Sequence, residues 1–166
     1  MFGFNEKPKV PLRHRKSPYM NLAYQKLPTL HGNWGTDPAP LKALTNGDIH
    51  TPISTTGAKT GSDTVYVQID LGQVYEVYEI IIHTGYGYYH TVTGNTGSIK
   101  LKTGLTSTEA DATERDEQTN NTDDYISFTL HYEGEGIPVR YVFLTMVSDG
   151  SHPQYIKPAE IEVFGC

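Results

Sequence analysis

The sequence contains a single cysteine, Cys166, at its last position. One cysteine excludes a disulfide bond within the chain, so the stability of the fold must come from packing or from a bound ion. The composition therefore fits folding in a reducing cytoplasm.

Long apolar runs are absent as well. No segment of the sequence approaches the roughly 20 apolar residues that a bilayer-spanning helix needs. Residues 1–19 also lack the apolar region of a secretory signal. The sequence predicts no membrane insertion, no signal peptide and synthesis in the cytoplasm, whereas a chain from which a leader had been removed would be secreted.

Positive charge is scarce, because 13 Lys and Arg stand against 19 Asp and Glu, for a formal net charge of -6. A general nucleic-acid-binding protein needs clustered Lys and Arg to neutralise phosphates, so this balance argues against nucleic-acid partners. The start of the chain is the exception. Up to Tyr19 its only acidic residue is Glu6, and its basic residues are Lys7, Lys9, Arg13, Arg15 and Lys16.

The same segment contains Pro8, Pro11 and Pro18, which remove amide donors and favour extended chain. We predict an extended basic N-terminal arm over residues 1–20 and a single folded domain over residues 21–166. Two interpretations of the arm remain open. It is either a frayed tail or an assembly element that becomes ordered on a neighbouring subunit or on another protein of a larger particle.

Helical spacing of apolar residues is also missing, whereas alternation with a period of two recurs along the chain. Between residues 65 and 71 the apolar side chains fall on one face of a predicted strand. Similar strands are predicted from three further patterns: Tyr78, Ile80 and Ile82; Ile126, Phe128, Leu130 and Tyr132; Ile161 and Val163. Residues 139–147 are apolar on both faces, which is typical of a central strand. These patterns predict an all-β, antiparallel β-sandwich or jelly roll.

Residues 105–124 interrupt this alternation. The segment is polar, acidic and rich in Thr. It is therefore predicted to be a long surface loop with room for a short helical turn.

Four short motifs follow one another in the domain. The first is Asn21-Leu22-Ala23-Tyr24-Gln25-Lys26, and the second is Ala43-Leu44-Thr45-Asn46-Gly47-Asp48 with Thr51. The third is Gln68-Ile69-Asp70-Leu71-Gly72, and the last is Glu160-Ile161-Glu162-Val163-Phe164-Gly165. In this order and at these separations they resemble the discoidin family, also called coagulation-factor C-type domains, and the galactose-binding-like carbohydrate-binding modules. The resemblance implies an antiparallel jelly-roll β-sandwich, galactose-binding-domain-like, and a domain that binds without catalysing.

The resemblance also implies a structural calcium ion, because the family holds one between the second motif and the Glu of the last strand. Transferred by position, the ligands are the carbonyl groups of Ala43 and Ala159 and the side chains of Asn46, Asp48, Thr51 and Glu160. Such oxygen donors are those that Ca²⁺ prefers. Asn46 stands where the family has Asp, so the site has one charge fewer and a lower expected affinity. The alternative is an Asx turn in which Asn46 and Asp48 cap their own backbone.

Three segments combine aromatic rings with hydrogen-bonding side chains, namely residues 31–34, 85–90 and 149–155. An aromatic ring packs on the C–H face of a sugar while polar groups bind its hydroxyls. The candidate ligand-binding residues are His31, Trp34, Tyr86, Tyr88, Tyr89, His90, His152 and Tyr155. The second segment lies where related sugar-binding modules carry tip-loop residues, although it lacks the Arg that those modules often place there. The alternative is that these rings pack on their own strands or against another subunit.

Catalytic patterns are missing from the sequence. There is no nucleophile elbow, phosphate-binding loop or zinc-ligand spacing, and the pair Glu133 and Glu135 fits a solvated turn better than a glycosidase dyad. We therefore expect no enzyme. Two functions remain: a lectin-like module that binds cell-surface or cell-wall glycan, and a structural or decoration protein of a virion, such as a phage particle, that assembles through residues 1–20. A cytoplasmic protein released by lysis on a virion surface satisfies both, as a homo-oligomer or in many copies.

Overall fold

The computed structural model of the protein describes residues 19–32, 41–51, 65–83, 98–119, 123, 125–131, 134–147 and 159–166. These residues form eight β-strands and two short 3-10 turns. The strands are β1 Met20–Asn21, β2 Thr29–His31, β3 Val65–His83, β4 Ser98–Gly104, β5 Thr113–Thr119, β6 Tyr125–Thr129, β7 Ile137–Val147 and β8 Glu160–Gly165. The 3-10 turns are Leu41–Thr45 and Glu109–Asp111. No helix in the described ranges is long and apolar enough to cross a membrane.

Every strand pair is antiparallel, and β3 is at the centre of the arrangement. The strand order is β1-β8-β3-β7-β4-β5, with β2 and β6 also paired to β3. β2 pairs with residues 66–68 of β3 and β7 with residues 65–77, whereas β8 and β6 pair with the part of β3 from Val77 to His83. The predicted all-β antiparallel sandwich is thereby confirmed, with β3 contributing to both of its layers.

The two halves of β3 meet at an irregularity between Asp70 and Tyr75, where the register with β7 shifts. Gly72 has a φ of 93°, and its amide donates to Asp70 Oδ1 over 2.8 Å. Glycine adopts this left-handed conformation without steric cost. Gly72 is therefore part of a local irregularity that redirects one long strand.

The core contains the apolar face predicted for residues 65–71 and the inward residues of β6, β7 and β8. Val67, Ile69 and Leu71 are buried, while Gln68 and Asp70 on the opposite face are half-buried. The side chains that complete this core include Val77, Ile80, Ile82, Ile126, Phe128, Leu130, Val139, Ile161 and Val163. These burials confirm the pattern predicted for β8 and the alternation of Ile126, Phe128 and Leu130 in and after β6, whereas Tyr132 lies outside the described residues.

β7 is the central strand that the sequence predicts, because it lies between β3 and β4. The consecutive residues Val142, Phe143 and Leu144 are all buried. Since successive side chains of a strand point to opposite faces, both faces of β7 are covered.

The prediction of a loop over residues 105–124 is wrong for much of its length. A 3-10 turn at Glu109–Asp111 matches the expected helical turn, but Thr113–Thr119 forms β5, which pairs with β4. β5 is an edge strand with mostly exposed side chains, so it needs no apolar face and leaves no periodic pattern. Cross-strand ion pairs from Lys100 to Glu114 and Glu117, at 3.2 and 3.4 Å, align it with β4.

The prediction that Tyr78 shares a face with Ile80 and Ile82 is also wrong. The register between β3 and β8 shifts between Val77 and Glu79, which makes Tyr78 the extra residue of a bulge. Val77 and Ile80 are fully buried, whereas Tyr78 and Glu79 are both half-buried. A bulge redirects side chains in this way, so Tyr78 lies beside Glu79 on the outer face of the sheet.

Gln25 is the only non-glycine residue in the described ranges with a positive φ, at 60°. It stands where the resembling family has glycine, and its amide donates to the carbonyl of Thr45 over 2.7 Å. Because side chains with a Cβ pay about 1 kcal/mol or more for this conformation, Gln25→Gly is expected to stabilise the chain by several tenths of a kcal/mol. Urea unfolding measures the change, and an equal or lower free energy of unfolding would contradict it.

Candidate functional site

The first candidate site lies where the 3-10 turn Leu41–Thr45 leads into residues 46–51. Leu44 is completely buried in the core, and the Thr45 hydroxyl donates to the carbonyl of Lys26. Gly47 follows with a φ of 89°, and a Cβ there would lie 3.3 Å from the ring of Tyr24. The loop is thus anchored on the sandwich, and its turn requires glycine.

Residues 46–51 form the Asx turns that the sequence offered as an alternative to a metal site. Asn46 Oδ1 accepts the amide of Asp48 over 2.8 Å. Asp48 Oδ1 accepts the amides of His50 and Thr51 over 2.9 and 3.1 Å. Hydrogen bonds from the Thr51 side chain and from the backbone of His50 lower the pKa of Asp48, so its carboxylate is ionised at neutral pH.

The Asx turns do not include Glu160, whose side chain is the most unusual group of this region. Glu160, the first residue of β8, is completely buried, and neither of its carboxylate oxygens has a hydrogen-bond partner among the described residues. Burial raises the pKa of Glu160 to about 7, and the charges of Glu162 and Asp48 act in the same direction. The backbone amides of Asn46 and Gly47 offset part of this increase without reaching hydrogen-bonding geometry.

The residues of this region fit a calcium ion. β8 packs on the 3-10 turn Leu41–Thr45, and Glu160 senses both the backbone of Asn46 and the charge of Asp48. Within the described ranges, no three His, Cys, Asp or Glu side chains are placed so that they could hold a metal ion together. The predicted set has only two acids, and amide, hydroxyl and carbonyl oxygens supply the rest, which suits a hard cation. A buried carboxylate without a partner is the kind of group that such an ion satisfies.

Of the six predicted metal ligands, Asn46, Asp48 and Glu160 are brought together by these interactions. Thr51 joins them through its hydrogen bonds to Asp48. Ala159 is buried beside Glu160, and its amide donates to the carbonyl of His83 over 2.7 Å. Ala43 lies half-buried in the 3-10 turn.

The second candidate site is the edge of the sheet where β2, β7 and β4 meet their connecting segments. His31, at the end of β2, pairs with Tyr66, and Ser98, at the start of β4, pairs with Val147, at the end of β7. In this sheet β3 and β7 separate β2 from β4, so three strand spacings, or about 14 Å, separate these ends. We call this the loop edge.

Two of the three sequence segments predicted to bind a ligand continue directly from the loop edge, and the third belongs to a connection that ends there. Residues 31–34 begin at the end of β2, and residues 149–155 belong to the segment that follows β7. Residues 85–90 belong to the segment that connects the end of β3, at His83, to the start of β4. The predicted residues Trp34, Tyr86, Tyr88, Tyr89, His90, His152 and Tyr155 lie outside the described residues.

His31 is the one predicted ligand-binding residue that the structure describes. Its half-buried ring stacks on Tyr66, with centroids 4.5 Å apart and planes 14° apart. Tyr66 in turn meets Phe143 edge-on at 5.8 Å. Because Tyr66 holds His31 by stacking, the ring is fixed at the loop edge.

Sequence reasoning missed a third feature, a groove on the outer face of the layer formed by β1, β8, β6 and the second half of β3. It has a volume of about 530 Å³. Its lining includes Tyr19, Tyr78, Glu79, Ile81, Thr129 and Phe164. We call it the sheet groove. Phe164 and Ile81 gave a signal in the sequence, since each is an apolar residue on the otherwise polar face of its strand.

No family model and no curated protein matches the sequence, but many solved structures match the fold. One is chitosan-binding module 2 of a chitosanase/glucanase from Paenibacillus sp. IK-5, in complex with chitotriose. It has a TM-score of 0.61 and 15% identity, over 86% of this chain and 98% of the module.

Two further structures have the same fold. CpGH89CBM32-4 from Clostridium perfringens, in complex with GlcNAc-α-1,4-galactose, has a TM-score of 0.58 and 16% identity over 92% of this chain and 99% of its own. A fucolectin from striped bass (Morone saxatilis) serum has a TM-score of 0.64 and 17% identity over 90% of this chain and 50% of its own. The protein therefore has the galactose-binding-like β-sandwich fold of these carbohydrate-binding proteins.

Proposed function

We propose that the protein is a non-catalytic module that binds cell-surface or cell-wall glycan at its loop edge. The register of β2, β7 and β4 carries this proposal, because it brings to one edge the strand ends from which residues 31–34 and 149–155 continue and the start of β4, where the connection that contains residues 85–90 ends. A site with aromatic and polar side chains suits a sugar ring, whose C–H face packs on an aromatic ring while its hydroxyls form hydrogen bonds. The solved structures add support, since proteins of the same fold were captured with chitotriose and with GlcNAc-α-1,4-galactose.

A glycan array tests this proposal with the intact chain and two variants, Trp34→Ala and Tyr88→Ala. Each variant is expected to weaken binding about tenfold or more, the cost of removing a central aromatic contact. The control is Leu105→Ala, because Leu105 is exposed and follows the opposite end of β4. An intact chain that binds no glycan, or equal losses in all three variants, would contradict the proposal.

We also propose that calcium binds between Glu160 and residues 43–51 and has a structural role. The ligands would be the carbonyl groups of Ala43 and Ala159 and the side chains of Asn46, Asp48, Thr51 and Glu160. The support is the buried Glu160 carboxylate, which faces the backbone of Asn46 and Gly47 without a hydrogen bond. A bound ion would be a positively charged partner for this carboxylate and would link β8 to the loop of residues 46–51.

Display in many copies on a larger assembly, such as a phage particle, is the setting that we propose for this module. Many copies would raise the avidity of weak sugar sites by orders of magnitude. Residues 1–20 would then provide contacts between copies, because their basic charge differs from the acidic remainder of the chain. Without glycan binding, the same architecture would serve as a structural or decoration protein.

A further inference from the structure

The sheet groove is built around the bulge in β3. The bulge places Tyr78 beside Glu79, and Glu79 is registered with Thr129 on one side and with Phe164 on the other. Tyr19 stacks on Tyr78 with ring centroids 4.2 Å apart. The result is an open channel across several strands, with aromatic walls and a carboxylate in its lining.

The charge of this layer has one sign. Within β1, β6, β8 and residues 75–83 of β3 there is no Lys or Arg, whereas Glu76, Glu79 and Glu162 belong to these strands and are not fully buried. The carboxylate of Glu76 accepts a hydrogen bond of 3.1 Å from the Tyr78 hydroxyl, and that of Glu79 accepts one of 2.6 Å from the Ser127 hydroxyl. These two hydroxyl donors hold the carboxylates of Glu76 and Glu79 beside the aromatic walls, so the groove favours a cationic occupant.

The chain itself contains a segment of complementary chemistry. Residues 7–18 have five Lys and Arg, no acidic residue and three prolines. Proline-rich segments favour a polyproline helix, which packs into aromatic-lined grooves at a low cost in entropy. The charge of the segment is thus opposite to that of the groove, and its proline rings can pack on the aromatic walls.

We propose that the sheet groove binds residues 7–18 of a second copy of the chain. This inference rests on the proposed assembly role of residues 1–20 and is independent of glycan binding. A second copy is favoured over the same copy because a proline, here Pro18, disfavours in the residue before it the helical backbone conformation that the common tight turns use. This disfavours the tight reversal that would bring Arg15 and Lys16 back past Tyr19 into their own groove.

Fluorescence anisotropy tests the proposal with the intact chain and a labelled synthetic peptide of residues 1–18. The peptide is expected to bind, and added salt is expected to weaken binding. Glu79→Gln should weaken it about fivefold, as expected for one partly exposed ion pair. Thr129→Lys should weaken it at least as much, because it places a like charge in the groove at an exposed position.

Matched controls use the same substitutions on β5, in the other layer. Glu114→Gln and Thr113→Lys change the net charge equally at exposed positions outside the groove, so they should leave peptide affinity unchanged. A peptide with its three prolines replaced by Ala keeps the charge and should bind more weakly. Equal affinity for both peptides, or equal losses in groove and control variants, would indicate general charge attraction and overturn the proposal.

Light scattering of the intact chain separates the groove from the wider assembly role. Self-association that Glu79→Gln and Thr129→Lys reduce, and that their controls do not, supports the groove as the contact. Self-association lost on Arg13→Glu with Arg15→Glu but unchanged in both groove variants would leave the assembly role standing and overturn the groove. Glycan binding lost in the groove variants, with peptide binding intact, would also overturn it by assigning the groove to sugar.

Discussion

Calcium is expected to raise the unfolding temperature of the chain and a chelator to lower it, with a larger difference at pH 8 than at pH 5. The reason is Glu160, whose buried carboxylate has no hydrogen-bond partner within the described ranges. Without an ion, ionisation of this group in the folded state is unfavourable. When calcium is present, it binds to the ionised form of the Glu160 carboxylate.

The direction of the pH effect follows from the two pKa values of Glu160. Its usual pKa of 4.5 applies to the unfolded chain, and burial raises the pKa to about 7 in the folded chain. The folded state therefore binds the proton more tightly, so this group's contribution is complete below pH 4.5 and is lost as the pH rises to about 7. The difference corresponds to about 3 kcal/mol of the free energy of unfolding at pH 8.

At a free concentration of about 100 times its dissociation constant, calcium would raise the free energy of unfolding by roughly 2.7 kcal/mol. This is close to the stability that ionisation of Glu160 removes. Differential scanning calorimetry from pH 4 to pH 8, with calcium or with chelator, measures both effects. Glu160→Gln should remove the calcium response and this part of the pH dependence.

Glu162→Gln is the matched control for Glu160→Gln. Glu162 lies on the same strand and accepts a hydrogen bond at 2.7 Å from His83 Nε2 when that nitrogen is protonated. It is not among the proposed ligands, so the variant should keep the calcium response. Identical melting curves for the intact chain in calcium and in chelator at pH 8 would remove the ion from the site.

The layered fold was predictable because the core strands alternate cleanly. Residues 66–71 and β6 each bury every second residue, and the consecutive residues Val142, Phe143 and Leu144 of β7 are all buried. These patterns exist because each strand must cover one or both sides of a core. β5 has no such requirement, since it is an exposed edge strand aligned by Lys100 and its acidic partners, and its sequence could not be distinguished from that of a loop.

The sheet groove could not be predicted for a different reason. It depends on a one-residue bulge at Tyr78, which places Tyr78 on the face opposite to the one that strict alternation predicts. A bulge is decided by how β3 pairs with β8, and that pairing joins segments about 80 residues apart. Local periodicity contains no information about that pairing.

The candidate calcium site was predictable only through resemblance. Asx turns at Asn46 and Asp48 follow from local chemistry, and the structure contains them. The buried state of Glu160 depends on contact between β8 and the 3-10 turn Leu41–Thr45, more than 100 residues away in sequence. Only the family pattern joined these two segments before the fold was known.

Gly165→Ala is expected to destabilise the chain by about 3 kcal/mol or more, at the upper end of the range for overpacked cores. A Cβ at Gly165 would overlap the carbonyl oxygen of Glu76 and lie 2.7 Å from Leu22 Cδ1. The backbone of Glu76 has little freedom to move away, because it exchanges two hydrogen bonds of 3.0 Å with Cys166. For a domain of this size the unfolding temperature should fall by roughly 6–12 °C.

Gly104→Ala is the matched control, since Gly104 is also a strand glycine and a Cβ there would lie 3.4 Å from Ala112 Cβ, at ordinary contact distance. Its unfolding temperature should stay within about 3 °C of the intact chain, and equal losses in the two variants would contradict the argument. Gly165 ends the strand that begins with Glu160 and contains Phe164. Displacing β8 at this end should therefore also weaken peptide binding in the sheet groove, which Gly104→Ala should leave unchanged.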